Sequence, residues 1–145
     1  MSKAKIHPRT YSCLECGKDS EYRVSKKNIY CSIACQAAHK YKKFIESWLN
    51  GSITGTGVNG ASTQIKRYLL EQQNHKCAKC GIDSWNGQPI VLELEHKDGN
   101  SANNLRGNLE CLCPNCHSQT STYKNRNAGN GRHTRRQRYA EGKSF

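Results

Sequence analysis

The stretch CPNCH, residues 113–117, decides how the second half of this chain can fold. Its two cysteines stand three positions apart, a spacing that lets two thiolates converge on one metal ion from a single turn. A second pair with the same spacing, CAKC, occupies residues 77–80. Two such pairs complete a tetrahedron, so a structural zinc ion is predicted on Cys77, Cys80, Cys113 and Cys116. The alternative is four unrelated buried thiols, which the matched spacing disfavours.

An earlier set of four cysteines predicts a second structural zinc ion, on Cys13, Cys16, Cys31 and Cys35. The second pair of this set is more widely spaced, and His39 stands near it as a possible substitute ligand. A knuckle, a hairpin and a helix starting at the second pair would form a treble-clef-like finger. The alternative is a zinc-stapled spacer without direct DNA contact. The remaining cysteine, Cys111, is expected to face the core.

The composition leaves little material for a hydrophobic core. Of 145 residues, 34% are hydrophobic and 8% aromatic, so bound metal is expected to stabilise a small α+β fold. The first twelve residues, MSKAKIHPRTYS, contain no apolar stretch typical of a secretory signal, and no run is long enough to span a bilayer. A soluble intracellular protein without a membrane partner is therefore expected.

Positive charge is concentrated at both ends of the chain. Residues 1–50 carry 10 basic and 4 acidic side chains, residues 51–110 carry 6 of each, and residues 111–145 carry 7 and 1. Basic flanks of this kind favour a nucleic acid, because cations gain from contact with phosphates and from counterion release. The candidate phosphate-binding residues are Lys66, Arg67, Lys124, Arg126, Arg132, Arg135, Arg136 and Arg138. The alternative for those after residue 123 is a merely solvated tail.

The N-terminal half divides into a module and a linker. After the fourth cysteine, apolar residues recur at helical spacing up to Gly51, with Ala38, Tyr41, Ile45, Trp48 and Leu49 on the predicted inward face. The finger and this helix make a zinc-binding module over residues 1–50. Residues 51–62 contain four glycines with Ser and Thr and are predicted to be a linker or an exposed loop.

The C-terminal half has the pattern helix, strand, loop, strand, helix. Ser62 is a candidate cap for the first of these helices, residues 88–96 have strand composition, and Pro114 suits the first turn of a helix running through NCHSQTSTYKN. These elements define a domain over residues 63–127. Residues 128–145 form a polar, basic tail.

Three polar residues in this domain are not needed for structural zinc. Glu95 and His96 end the predicted strand, and His117 directly follows a zinc cysteine. If the last helix packs across the two strands, these three side chains can converge into a second metal site with an open side. In a regular strand, however, Leu94 and His96 share one face, so the strand must end or bulge at Glu95 for this convergence. The alternative places Glu93 and Glu95 on a solvated face.

The motifs LEH at 94–96, NLE at 108–110 and CPNCH at 113–117 resemble those of the HNH endonuclease family. The resemblance covers residues 77–124 and implies a ββα-metal nuclease core. In detail the chain is similar to small zinc-stapled HNH proteins of bacteriophages, some of which are free-standing homing endonucleases.

The resemblance also implies a role for each matching residue. His96 would be the general base that takes a proton from the attacking water, since an imidazole can accept a proton near neutral pH. Glu95 and His117 would bind one divalent ion, Mg²⁺ or a transition metal, that stabilises the phosphate and the leaving oxygen. Asn108 would brace the loop that carries His96. Many family members have Asp where this chain has Glu95, which leaves the metal preference open.

The resulting hypothesis is a metal-dependent HNH endonuclease that cuts double-stranded DNA to 5′-phosphate and 3′-hydroxyl ends. A phage homing-type or site-preferring nuclease in the cytoplasm of an infected bacterium is expected; its oligomeric state and cutting pattern stay open. A second hypothesis is a non-catalytic zinc-finger protein that keeps the HNH scaffold and has a DNA-binding or regulatory role. A third is an RNA-directed or repair nuclease.

Overall fold

The computed structural model describes residues 9–23, 27–57, 60–127, 137 and 139–142. The chain divides into two compact units, Met1–Glu46 and Ser47–Phe145. Their boundary lies inside the predicted N-terminal module rather than at the predicted linker. In the ranges that are described, no helix combines the length and the apolar character that crossing a bilayer requires.

The first unit contains a β-hairpin and most of one helix. Strands β1 (Thr10–Ser12) and β2 (Asp19–Glu21) pair antiparallel. The turn between them closes at Gly17, whose N–H donates to Cys13 O over 2.9 Å and whose φ of 71° favours glycine. Helix α1 (Ile33–Leu49) follows, and Ser32 Oγ accepts the N–H of Cys35 over 3.1 Å at its start.

Burial along α1 follows the predicted face with one exception. Ile45 is 7% exposed and Trp48 is 5% exposed. Leu49, which was predicted to point inward, is 47% exposed, because it is the last helical residue and lies one step around the helix from Trp48.

Within the described residues, the second unit combines short strands, α-helices and the 3₁₀ helices Arg106–Asn108 and Lys124–Asn127 around a small apolar core. Its most deeply buried side chains are Ile65, Leu69, Leu109, Leu112 and Cys111. The predicted core position of Cys111 is confirmed, since its side chain is fully buried. The elements are β3 (Thr56–Gly57), β4 (Gly60–Ala61), α2 (Thr63–Gln72), β5 (Ser84–Trp85), β6 (Gln88–Pro89), β7 (Glu93–His96), β8 (Leu109–Leu112) and α3 (Pro114–Ser118).

The glycine-rich segment predicted to be a linker is partly ordered and packed. Strands β3 and β4 pair antiparallel within it, and Ser62 accepts the N–H of Gln64 over 3.2 Å as the predicted cap of α2. Gly55 is buried. A Cβ atom there would lie 2.3 Å from Ile65 Cδ1 and 2.8 Å from Trp48 Cδ1, so glycine lets the backbone approach these two side chains.

We expect Gly55→Ala to lower the melting temperature more than Gly51→Ala. Both glycines have positive φ, 69° and 79°, which costs an alanine about 1–2 kcal/mol at either position. Only position 55 adds a steric conflict, because a Cβ at position 51 has no atom within 4 Å, and overpacking adds about 1–3 kcal/mol. Thermal unfolding of the zinc-loaded variants measures the difference. Equal losses would contradict the packed position of Gly55.

Strands β7 and β8 form the sheet on which the candidate site is built. They pair antiparallel, with Glu95 opposite Glu110 and His96 opposite Leu109. Residues opposite each other share a face and successive residues alternate. Glu93 and Glu95 therefore lie on one face with Glu110, while His96 lies on the other face with Leu109. Helix α3 contacts both strands, and α2 packs against β8.

Two elements differ from the sequence prediction. Residues 88–96 do not form one strand, because β6 pairs with β5 in a separate hairpin before the chain enters β7. Helix α3 ends at Ser118 instead of continuing towards residue 125. His117 O accepts the backbone N–H of Thr120 over 3.1 Å and its hydroxyl over 2.9 Å. Both donors therefore come from Thr120, whereas a continuing helix would take the N–H of residue 121.

Candidate active site and metal centres

The sulfurs of Cys77, Cys80, Cys113 and Cys116 lie within 4.8 Å of one another. A tetrahedral zinc ion with Zn–S bonds of about 2.3 Å separates its sulfurs by about 3.8 Å, and the Cys80 and Cys113 sulfurs are 3.7 Å apart. The donor set and its spacing therefore fit zinc. Four thiolates would fill the coordination sphere, which is typical of a structural site.

The ionisation of these thiols also suits a bound cation. Burial opposes ionisation of Cys77, but the backbone N–H groups of Cys113, Cys80 and Lys79 lower the pKa of its thiol to about 6. The neighbouring Cys80 thiol raises the pKa of Cys116 to about 12. Without an ion the cluster ionises unevenly, and a divalent cation would favour deprotonation of all four ligands.

The first unit holds the second predicted cluster, Cys13, Cys16, Cys31 and Cys35. Its sulfurs lie 3.6 Å apart for Cys16 and Cys31 and 3.4 Å apart for Cys31 and Cys35. His39 does not complete this cluster: its Nδ1 lies 3.4 Å from Glu15 Oε2 and its ring packs at a tilt on Tyr30. The geometry therefore favours Cys35 over His39 as the fourth ligand.

We expect Cys35→Ser to reduce the bound zinc from two ions to one per chain, and His39→Ala to leave two. A serine hydroxyl is a poor substitute for a thiolate, whereas His39 lies outside the cluster. Elemental analysis after dialysis against a chelator measures the stoichiometry. Loss of an ion in His39→Ala but not in Cys35→Ser would reverse the assignment.

Glu95 is buried at the centre of the sheet face that α3 covers. The residue is 5% exposed, and no buried side-chain oxygen or nitrogen in the described residues lacks a hydrogen-bond partner. The Thr122 hydroxyl donates to Glu95 Oε1, and His117 Nε2 lies 3.0 Å from Glu95 Oε2. The predicted approach of Glu95 and His117 is thus present.

The other ring nitrogen of His117 faces a second carboxylate. Its Nδ1 donates to Glu93 Oε2, and the edge of the Tyr123 ring packs on the imidazole with centroids 5.2 Å apart. A proton held on Nδ1 would leave the lone pair of Nε2 available to a cation held between Nε2 and Glu95. This is the arrangement in which a carboxylate fixes the tautomer of a metal-binding histidine.

The Glu95 and His117 pair also fits a divalent ion. An octahedral ion with bonds of about 2.1 Å places adjacent ligand atoms about 3.0 Å apart, which matches the 3.0 Å between Nε2 and Oε2. In the part of the chain that the structure describes, three or more side chains converge for metal binding only at the two cysteine clusters. Glu95 and His117 would therefore supply two ligands, as the resemblance implied, and leave other positions open.

His96 does not join this pair. The strand pairs regularly through residue 96, so it neither ends nor bulges at Glu95, which was the condition for bringing all three side chains together, and that convergence is not present. The reason is strand alternation, which directs consecutive side chains to opposite faces. On its own face, His96 Nε2 lies 2.8 Å from Asn104 Oδ1.

Asn108 fastens the loop that follows His96. Its Nδ2 donates to Asp98 Oδ1 over 2.9 Å and to Asn103 O over 2.8 Å, and its Oδ1 accepts the N–H of Asp98 over 3.1 Å. Burial acts against ionisation of Asp98, but the Asn100 N–H and the Asn103 and Asn108 amides hold its pKa below the usual range. These contacts are those expected of a bracing residue.

The basic candidates are distributed unevenly. Lys66 is half-buried on α2, and the exposed Arg67 pairs with Glu71 over 2.8 Å. Lys124 Nζ lies 4.9 Å from the centroid of Tyr123, and the Tyr123 side chain raises the pKa of Lys124, with a further contribution from Glu93. Arg126 donates to Thr120 O over 3.0 Å. The remaining candidates, Arg132, Arg135, Arg136 and Arg138, lie outside the described residues.

Three residues at the site were not predicted to take part. Glu93 could have been found, because it shares a strand face with Glu95, although the sequence also allowed a solvated face. Thr122 and Asn104 gave no signal, because each lies in an irregular segment. Thr122 contacts Glu95, 27 positions away, and Asn104 contacts His96 across the intervening loop, 8 positions away.

The sequence of this chain is similar to that of a phage HNH endonuclease, which supports the family assignment made from the motifs. The relative is H-N-H endonuclease F-TflIV of Escherichia phage T5, with 45% identity over 96 residues. The match covers 65% of this chain and 40% of the relative, so the chain spans less than half of that protein. No family model matches the chain, and no solved structure matches it.

Proposed function

We propose that this protein is a metal-dependent HNH endonuclease that hydrolyses phosphodiester bonds in double-stranded DNA. One observation carries the proposal: Glu95 Oε2 and His117 Nε2 lie 3.0 Å apart beside a strand whose last residue is His96. The similarity to a phage HNH endonuclease supports the same reaction class. Residues 63–127 form the core of the nuclease, together with the packed segment that contains Gly55.

In this proposal the two sheet faces have different tasks. Glu95 and His117 hold the divalent ion, Mg²⁺ or a transition metal, which when bound stabilises negative charge on the phosphate and on the leaving 3′ oxygen. His96 is the next residue, with its Cα about 3.8 Å from that of Glu95, and it emerges where the strand gives way to a turn. The phosphate lies at this strand end, between the ion-binding pair and the imidazole.

His96 acts as the general base. Its neutral imidazole takes a proton from the water that attacks phosphorus, and the products are a 5′-phosphate and a 3′-hydroxyl. Asn108 holds the loop after His96 through Asp98 and Asn103, which keeps the imidazole at the strand end. The two cysteine clusters bind structural zinc and take no part in the reaction.

The basic residues bind the phosphate backbone. Lys124 and Arg126 follow α3 and lie close in sequence to Thr122, which contacts Glu95; Lys66 and Arg67 are further candidates. Contacts of this kind supply affinity without sequence information. The N-terminal unit, a treble-clef-like finger, is proposed as a second DNA-binding element. We further propose a site-preferring, homing-type nuclease in the cytoplasm of an infected bacterium, a setting with which the phage origin of the relative is compatible.

We expect His96→Ala to reduce cleavage of supercoiled plasmid about 10²–10⁴-fold, because a general base contributes that factor. His75→Asn is the matched control: His75 is exposed and has φ 56°, a conformation that asparagine tolerates. Wild type and both variants are compared with and without Mg²⁺ or Mn²⁺, and nicked and linear products are measured separately. Equal zinc content shows that the variants fold.

Three results would contradict the proposal. If His96→Ala cleaved plasmid at the wild-type rate, His96 would not be the general base. DNA binding without cleavage in any of Mg²⁺, Mn²⁺ or Ni²⁺ would favour the non-catalytic regulator. Faster cleavage of structured RNA or of branched DNA than of plasmid would favour the third hypothesis.

We expect Glu93→Gln to weaken Mn²⁺ binding to the zinc-loaded protein about 10–100-fold, the usual cost of removing a carboxylate behind a metal-binding histidine. Glutamine can present its amide N–H to Nδ1, which would move the imidazole proton to Nε2. Glu71→Gln, on α2, is the matched control. Titration calorimetry measures both affinities, and equal affinities would show that Glu93 does not orient His117.

A further inference from the structure

Asn104 is a buried polar residue for which the proposed reaction has no role. It is 3% exposed and lies in the irregular segment between the loop after β7 and the start of β8. Its Oδ1 lies 2.8 Å from His96 Nε2, and its Nδ2 donates to Thr56 Oγ1 over 3.3 Å. The two ends of one side-chain amide therefore join the histidine at the end of β7 to strand β3.

The backbone of Asn104 is fixed independently of its side chain. The indole Nε1 of Trp48 donates to Asn104 O over 2.7 Å. Trp48 is itself confined, because Gly55 brings the backbone against its Cδ1 atom and Tyr68 packs edge-on against its ring with centroids 5.8 Å apart. The amide oxygen of Asn104 is thus held at the imidazole by a packed group of residues rather than by a free loop.

An amide oxygen can only accept a hydrogen bond. The amide oxygen of Asn104 is the atom that lies 2.8 Å from His96 Nε2, and its Nδ2 is on the side of Thr56. His96 Nε2 therefore donates to this oxygen. A neutral imidazole has one proton. The proton on Nε2 leaves Nδ1 as the nitrogen with a free lone pair.

We propose that Asn104 is a positioning residue that selects the Nε2–H tautomer of His96 and makes Nδ1 the atom that accepts the proton from water. This inference rests on the proposed function and adds the identity of the basic atom. Asn104 acts through His96 and does not contact the substrate. In the other tautomer Nδ1 would carry the proton, and two acceptors would face each other at Nε2 and Oδ1.

Nitrogen-detected NMR of the ¹⁵N-histidine-labelled, zinc-loaded protein tests the tautomer without DNA or a catalytic ion. We expect wild-type His96 to carry its proton on Nε2 and Asn104→Ala to show a mixture of tautomers. Thr56→Val, which removes the other partner of the amide, should keep the Nε2–H form. Asn104→Asp, which keeps an acceptor at Oδ1, should keep it as well, and it provides a second variant if Asn104→Ala does not fold.

In plasmid cleavage, we expect Asn104→Ala to lower kcat about 10–100-fold with the KM for DNA unchanged, since a misplaced base costs that factor. A purely structural role for Asn104 predicts instead that Asn104→Ala and Thr56→Val lower thermal stability with the tautomer unchanged. A wild-type His96 protonated on Nδ1 would overturn the inference directly. That result would leave the nuclease proposal intact. If wild-type His96 carried its proton on Nε2 but the protein did not cleave DNA, only the proposed function would be rejected.

Discussion

The convergence of four cysteine sulfurs, those of Cys77, Cys80, Cys113 and Cys116, is the constraint on which the second unit depends. The apolar core is small, and structural zinc sites contribute folding free energy of about 10–16 kcal/mol in isolated fingers. Cys113 is also the residue that caps α3. The cluster therefore fixes where α3 starts, and His117, one turn into that helix, reaches the acidic face of β7 as a consequence.

Strand alternation is the second constraint, and it separates the polar residues of the site into two groups. Glu93 and Glu95 meet His117 on one face, and His96 meets Asn104 on the other. Each group has its own support. The acidic face depends on the zinc-stapled helix and on Thr122, while the histidine face depends on Trp48, Thr56 and the loop that Asn108 fastens. The proposed nuclease uses the strand end because both groups can be reached there.

The sequence was sufficient where local spacing determines the outcome. The two four-cysteine groupings, the cap at Ser62 and the buried Cys111 follow from spacing, capping preference and burial tendency, and each is present. The approach of Glu95 to His117 needed one further assumption, that α3 crosses the two strands. The strand over 88–96 and the long last helix could not be predicted correctly, because a separate hairpin and the two donors of Thr120 decide their ends.

The sequence was insufficient where a side chain gains its role from contacts distant along the chain. Asn104 reaches Trp48 and Thr56, which are 56 and 48 positions away, and no local pattern marks it. The glycine-rich segment has the composition of a linker, yet Gly55 is buried because Trp48 and Ile65 pack against it. The alternation of side chains along β7 could be predicted from the sequence, but only the observed pairing of β7 with β8 excluded a bulge at Glu95.

The most direct test of the central claim is to locate a divalent ion by anomalous diffraction from crystals of the zinc-loaded protein soaked in Mn²⁺. We expect two zinc peaks in the cysteine clusters and one manganese peak bonded to both Glu95 and His117 Nε2. Manganese bound elsewhere, with His117 Nε2 still in direct contact with the Glu95 carboxylate, would contradict the claim.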